Sequence, residues 1–344
     1  MLNLKQARIL NRNAWMLMLL CSAFYSCDKT ASTSDDYEGN WARSSDFEGV
    51  ARTEAVTFTI DNYAYVGTGY KGSDTRLKDF WQFDASTGTW KQKADLPGVE
   101  RNSAVAFTIG EKGYVGTGYD GVNKLKDFYE YDAANNIWTQ KTDFGGTARY
   151  DAIGFSVNNE GYIATGFDDN YLKDNWQYNP SADTWTQKAS LGGYKRKGAV
   201  VFVIDDLAYV CTGINNGDNI NDFWVYNGNA DEWTEKRKIS DANSDEDYDD
   251  DYNIVRDNAV AFVMNGKGYV TCGQQSGTIS TTWEYTPSTD LWVQRTSFEG
   301  TARIGAVAFT LNNVGYVATG NNSTYQFDDC WSFNPTEDQS DDDN

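Results

Sequence analysis

The 344 residues contain no histidine. That absence excludes Ser-His-Asp and Cys-His catalysis, imidazole general bases, and zinc or copper held by histidine. Basic side chains are scarce, 29 against 50 acidic, for a formal net charge of −21. A field of that sign repels nucleic acid and anionic lipid surfaces from the bulk of the molecule. Proline occurs only 4 times and long helical periodicity is missing, whereas aromatics reach 15% and glycine is frequent, so the fold class is all-β. Cysteine is sparse. Cys211, Cys272 and Cys330 stand at different points of the pattern described next and share no metal-ligand spacing, so they read as buried free thiols. One apolar run, residues 14–24, is too short to span a bilayer.

What fills the chain is a single pattern written six times. The copies begin at Arg52, Arg101, Arg149, Arg196, Arg256 and Arg303. A tyrosine follows each arginine at thirteen residues (Tyr65, Tyr114, Tyr162, Tyr209, Tyr269, Tyr316), and a glycine stands four further on. An aromatic then precedes a tryptophan by seven residues in five pairs: Phe83 and Trp90, Tyr131 and Trp138, Tyr178 and Trp185, Tyr226 and Trp233, Tyr285 and Trp292. Phe333 lacks its tryptophan, and Trp41 stands unpaired at the other end of the chain, eleven residues before Arg52. Repeats of this length signal one repeat domain rather than two ordinary ones.

Each copy reads as four strands. A short apolar run such as AVAFTI suits an innermost strand buried on both faces. A polar turn leads to GYVGTG, alternating DFYEYD forms the third strand, and WTQKT the fourth. The aromatic and its tryptophan fall on hairpin-linked strands and can meet in the core of each unit. The glycine that ends the second strand, the aromatic, and the tryptophan after six residues together resemble the kelch repeat family of β-propellers, from Asn40 to Pro335. Kelch repeats usually carry a glycine pair after the second strand. Here the pair is Thr-Gly, or Cys272-Gly273 in the fifth copy, so the repeat is a divergent type. The resemblance implies a six-bladed kelch-type propeller with four antiparallel strands per blade. The Trp41 strand would close the ring by completing the blade that ends at Phe333, leaving no long open edge.

The N-terminus reads as an export signal, with Lys5, Arg8 and Arg12 ahead of the apolar run. Ser26-Cys27-Asp28 resembles a bacterial lipoprotein cleavage site, with Cys27 as the acylated first residue, and a simple secreted protein is the alternative. The acidic stretch after it resembles the surface-export signals of Bacteroidetes lipoproteins. The expected division is a signal peptide over 1–27, a polar tether over 28–39, the propeller over 40–335 and an acidic tail over 336–344. The expected location is the bacterial cell envelope, as an outer-membrane lipoprotein that touches the membrane only through its lipid.

Length variation points to one face. The spacings from arginine to tyrosine to glycine, and from aromatic to tryptophan, never change. The segments from the glycine to the next aromatic, and between blades, do change, and in an up-and-down blade both lie on the same face. Loops of that kind carry function. The six arginines stand on that face around the channel mouth, where they read either as a ring able to grip a carboxylate or as braces paired with Asp79, Asp127, Asp174, Asp222 and Asp329. In the fifth copy Thr281 replaces the aspartate, and an acidic insertion over 241–252 precedes Arg256. The insertion reads as a lid over the arginines, as a disordered loop, or as a Ca²⁺ site through Asp245, Asp247 and Asp249. The sixth position of an EF-type loop is Asp250 and the twelfth Arg256, so that motif fails. Tyr70, Tyr119 and Phe167 follow the glycines of three consecutive copies and can stack on sugars or pack under their own loops. Glu54 and Asp151 fall two residues after Arg52 and Arg149, on the same strand face as those arginines, and are the candidate acid/base carboxylates.

The expected function is a non-catalytic envelope module that presents one propeller face to a glycan, an anionic ligand or a protein partner, with no cofactor and no nucleic acid. Galactose oxidase, a kelch propeller, needs histidine ligands for its copper, so that activity is excluded. The alternative is an enzyme similar to the sialate mutarotase/epimerase type, using arginine and carboxylates at the mouth. A purely structural envelope component is a third reading.

Overall fold

The computed structural model describes residues 38–240 and 252–340. Cys27, the signal segment, nearly all of the tether and the aspartates Asp245, Asp247 and Asp249 lie outside these residues. Among the described residues every regular element is a strand. They form six four-stranded antiparallel sheets and one extra two-stranded hairpin. Blade one consists of Val56–Ile60, Tyr63–Gly67, Phe80–Asp84 and Thr89–Lys93, hydrogen-bonded in that order. The next four blades repeat the arrangement, beginning at Val105, Ile153, Val200 and Val260.

The sixth blade is assembled from both ends of the chain. Val307–Leu311, Val314–Ala318 and Cys330–Asn334 supply three strands, and Asn40–Arg43 supplies the fourth. Trp41 sits opposite Phe333 in that ladder, with ring centroids 4.7 Å apart. Its side chain is wholly buried, and its indole N–H donates to the Thr296 carbonyl of blade five at 3.1 Å. The ring is therefore closed as a β-propeller by the pairing that the stray tryptophan announced.

The innermost strands differ from expectation on one point. They are not buried on both faces but alternate buried and half-buried, because one face lines the central channel. The buried face of each presses on the next blade. Phe58 of blade one lies over Gly113 of blade two, where an added Cβ would come within 2.2 Å of the ring. A single hydrophobic cluster accordingly joins Val56, Phe58 and Tyr65 of blade one to Val115, Tyr129 and Tyr131 of blade two. No blade covers its own faces, so burial is shared around the circle. The three described cysteines are fully buried and unbridged, and burial pushes the Cys272 thiol up to about 11 and Cys211 to about 12.

Candidate site at the channel mouth

The six arginines lie beside the channel, yet none faces it. All have zero exposed surface. Arg101 shows the geometry. Its backbone belongs to blade one, donating to the Leu77 carbonyl and accepting from Gly69 N–H. Its guanidinium belongs to blade two, gripping Asp127 through two bonds of 2.6 Å and the Thr117 carbonyl at 3.0 Å. Arg52–Asp79, Arg149–Asp174, Arg196–Asp222 and Arg303–Asp329 repeat the ion pair. The Thr-Gly departure belongs to this grip. Thr117 takes φ 60° and Gly118 φ 102°, and that turn aims the threonine carbonyl at the arginine. The open arginine ring is thus corrected: Arg52, Arg101, Arg149, Arg196, Arg256 and Arg303 are braces, sealed between blades.

Arg256 is the member without an aspartate, and it is no freer. Its five N–H groups go to the Ile254, Cys272, Thr281 and Asn253 carbonyls and to the Thr281 hydroxyl. Burial without a carboxylate lowers its pKa to about 10.

Two residues beyond each arginine the chain enters a left-handed turn. Glu54, Ser103, Asp151, Gly198, Asn258 and Gly305 all have φ between 51° and 62°. Their backbones form a closed girdle of hydrogen bonds. Ser103 N–H donates to Glu54 O, Asp151 to Ser103, Gly198 to Asp151, Asn258 to Gly198, Gly305 to Asn258, and Glu54 back to Gly305, over 2.7–3.2 Å. The same turn sends the side chains of Glu54, Ser103, Asp151 and Asn258 into the channel mouth, whereas the arginine two residues earlier points down between blades. Glu54 and Asp151 therefore do not share a face with Arg52 and Arg149. They line a mouth cavity of about 150 Å³ together with Ser103 and Asn258. Beneath it, an alanine from every blade, Ala55 to Ala306, narrows the throat.

The mouth is unevenly charged. Glu54 accepts hydrogen bonds from the Asn102 amide and, at 3.0 Å, from the Ser103 hydroxyl. Burial, reinforced by the Asp151 charge, raises its carboxyl above the usual range despite those bonds. Asp151 pairs with Lys197 at 3.0 Å. Lys197 stands over the rings of Tyr150 at 5.2 Å and Phe167 at 5.5 Å. Burial alone would lower its pKa, but Asp151 and the neighbouring tyrosines hold it above the ordinary value. Arg76 lies between Tyr70 at 5.3 Å and Tyr119 at 5.2 Å, and donates to Asn102 at 2.8 Å. Among the described residues the opposite side, from blades five and six, carries Asp257 as its charge at the mouth, which receives Asn258, Gln274 and Asn219 amides.

A family model, the KLHDC2/KLHL20/DRC7 Kelch-repeats domain, matches residues 41–195. Among solved structures, one titled "Structure of YjhT" superposes with a TM-score of 0.68 at 14% identity, covering 83% of this chain and 96% of that one. No curated protein matches the chain. The fold is a kelch-type β-propeller.

Within the propeller, Tyr70, Tyr119 and Phe167 gather at the mouth as expected, but not with open faces. Tyr119 donates its hydroxyl to Gly121 of its own loop at 2.8 Å, and the Tyr70 oxygen accepts from Asp74 N–H at 3.3 Å. Their rings serve as seats for cations. Sequence reasoning missed those cations, Arg76 and Lys197, and also Tyr150. Lys197 was within reach, since it directly follows a motif arginine. Arg76 was not, because two tyrosines from different blades make its seat. The acidic insertion itself falls outside the described residues, except that Tyr252 is buried and accepts from Trp292 N–H at 2.9 Å. Among the described residues no group of acidic, cysteine or histidine side chains could hold a metal.

Proposed function

We propose that the protein is a non-catalytic binding module that holds an acidic glycan at the channel mouth, with Arg76 taking the carboxylate. One observation carries this reading. Arg76 is half-buried between two tyrosine rings and enters no ion pair among the described residues, in a chain of net charge −21. Nearby Asp120 is occupied by the Val122 and Asn123 N–H groups of its own turn. The Arg76 Nε–H goes to Asn102 and one Nη1–H to the Asp74 carbonyl at 3.3 Å, which leaves Nη2 without a partner among the described residues and available to a carboxylate oxygen. The aromatic seat fixes the group in place before the ligand arrives. Lys197, Asn258 and Ser103 supply polar partners for hydroxyls around the same opening. Saturation-transfer NMR and calorimetry with N-acetylneuraminic, glucuronic and galacturonic acids test the reading. An acidic sugar should bind, and Arg76→Ala should weaken it by about tenfold or more, the loss of a charged hydrogen bond of roughly 1.5–3 kcal/mol. No binding, or binding indifferent to Arg76→Ala, overturns it.

A catalytic reading rests on a different feature. Glu54 and Asp151 line one cavity, yet burial raises the first while the second is paired with a lysine. Carboxylates held in unlike environments suit proton exchange on a sugar acid, as in a sialate mutarotase/epimerase. Mutarotation of N-acetylneuraminic acid followed by NMR, abolished in Glu54→Gln, would support it. Our proposal also includes a lipid anchor at Cys27 in the cell envelope, whose support is the N-terminal sequence. Incorporation of a fatty-acid analogue, lost in Cys27→Ser, tests that part.

A further inference from the structure

Blade four carries a feature the other blades lack among the described residues. Its second and third strands are joined through a registered hairpin, Ile214–Asn215 against Asp218–Asn219. The others make only single bridges at this point. Asn216 and Gly217, with φ 52° and 96°, form the tip, an Asn-Gly turn that suits a tight two-residue hairpin. The hairpin stands as one wall of a cavity of about 440 Å³ between blades four and five, roomier than the channel mouth. Ile220 and Val255, both buried, form its apolar floor.

The lining is amide rather than charged. Asn215, Asn219, Asn221 and Gln275 reach it from three different segments, with Asp218 as the single formal charge among the described lining residues. Asn219 is engaged, donating to Asp257 at 3.2 Å. Among the described residues the side chains of Asn215, Asn221 and Gln275 make no hydrogen bond. Each primary amide offers two donors and a carbonyl acceptor, the complement of vicinal hydroxyls. Tyr194 stands at the rim, 59% exposed. Its backbone is tied down, N–H to Asp222 at 3.0 Å and carbonyl from Arg196 at 3.2 Å, so the ring is presented on a fixed stem. An exposed ring of that kind offers a face for the apolar side of a pyranose.

We propose that this cavity is a second carbohydrate site, specific for neutral sugars. With no cation among its described lining residues, and with Asp218 in its wall, it disfavours the acidic sugars assigned to the mouth. The two sites adjoin through Asn219, Asp257 and Asn258, the last of which lines the mouth. One branched or linear glycan with an acidic and a neutral residue can therefore occupy both. The cavity's own chemistry does not depend on the Arg76 reading; only this joint occupancy rests on it.

The test uses the full chain and neutral trisaccharides of glucose, galactose, mannose and N-acetylglucosamine, read by saturation-transfer NMR and calorimetry. At least one should bind. Asn215→Ala and Asn221→Ala should each weaken it by about 3- to 10-fold, the loss expected for one net hydrogen bond. Tyr194→Ala should weaken it further, and Arg76→Ala should leave it unchanged. These substitutions are at the surface, so an unaltered melting temperature will show that the fold persists. Failure of every neutral trisaccharide overturns the proposal, as does binding that survives Tyr194→Ala and Asn215→Ala. Loss of neutral-sugar binding in Arg76→Ala also overturns it, since the sugar would then sit at the mouth. Binding of short uncharged peptides in place of sugars overturns it as well. If acidic sugars fail but a neutral one binds in an Asn215-dependent way, this site stands while the mouth reading falls.

Discussion

Blade five holds its buried arginine without a carboxylate, and the other blades do not, so the propeller contains its own control for the worth of the ion pair. Asp127→Thr transplants the blade-five residue into blade two. Arg101 then loses two charge-assisted bonds of 2.6 Å and keeps the Thr117 and Val99 carbonyls, at 3.0 and 3.1 Å. Arg256 compensates through the Asn253 and Thr281 carbonyls, which no residue of blade two supplies to Arg101. Removing one partner of a buried pair costs about 3–5 kcal/mol. The Asp127 side chain is 23% exposed, so water can reach part of the vacated space and the lower figure applies. With an unfolding entropy of about 2.1 cal/mol/K per residue over roughly 300 residues, ~3 kcal/mol lowers the melting temperature by about 5 °C. The reciprocal change, Thr281→Asp, gives Arg256 a counter-charge and should raise the melting temperature by about 1–3 °C. Calorimetry and urea titration followed by tryptophan fluorescence read both. A melting temperature for Asp127→Thr within 1 °C of the parent would refute the reasoning. A Thr281→Asp protein that melts lower would show that the neutral cage around Arg256 leaves no charge to compensate.

Three further outcomes follow from named contacts. Burial would raise Asp79 and Asp329, but their arginine bonds and charges, with the Trp81 and Trp331 indoles, outweigh it and hold both below the usual carboxylate range. That stability is present above the unfolded value of about 3.9 and is lost as pH falls through the folded values, so urea midpoints should hold near pH 5 and drop below about pH 4. Glu54 has the opposite sign: its raised folded pKa gives stability that is full below the unfolded value and is lost as pH rises through the folded one. Glu54→Gln should therefore melt higher than the parent at pH 7 and equal to it near pH 4; no difference at pH 7 would contradict the assigned burial. Trp41→Ala removes a wholly buried indole and its bond to Thr296, at a cost of about 3–5 kcal/mol, and should expose Asn40–Arg43 to proteolysis before the other strands.

The invariant spacings made the fold legible. A tyrosine at thirteen residues and a tryptophan at seven set strand lengths and register, and the lone Trp41 opposite Phe333 announced the closure. The braces were half-legible. Arg101 and Asp127 recur together, so pairing was readable, but whether the guanidinium also faced the channel was not. That depends on the left-handed turn two residues later, at Ser103, where the copies carry six positions of four chemical kinds. Asn, Asp, Ser and Gly at five of those positions are residues that often accept positive φ or turns, a signal that the unmatched Glu54 obscures. Arg76 was not legible at all. Its seat is built from Tyr70 and Tyr119, forty-nine residues apart and in different blades, and only the three-dimensional ring brings them together.

The backbone girdle explains why a fold this regular can have so irregular a mouth. The six residues from Glu54 to Gly305 close their ring through backbone N–H and carbonyl groups, with the Ser103 hydroxyl on Glu54 as an added side-chain bond, so the ring itself does not depend on their side chains. The braces behind them carry the stability, and those are the positions that repeat. What faces the opening is then limited only by the need to adopt φ near 55°, which a carboxylate, a hydroxyl, an amide or a hydrogen can each meet. Asn102 and Tyr150, next to the girdle, are equally unconstrained, because their backbones bridge to Tyr119 and Phe167 whatever side chain they bear. Stability and recognition thus reside in separate atoms of the same turn. Substituting Asp151 by asparagine should accordingly alter what Lys197 can bind and leave the girdle closed, with a fall in melting temperature of at most a few degrees from the lost Lys197 charge pair.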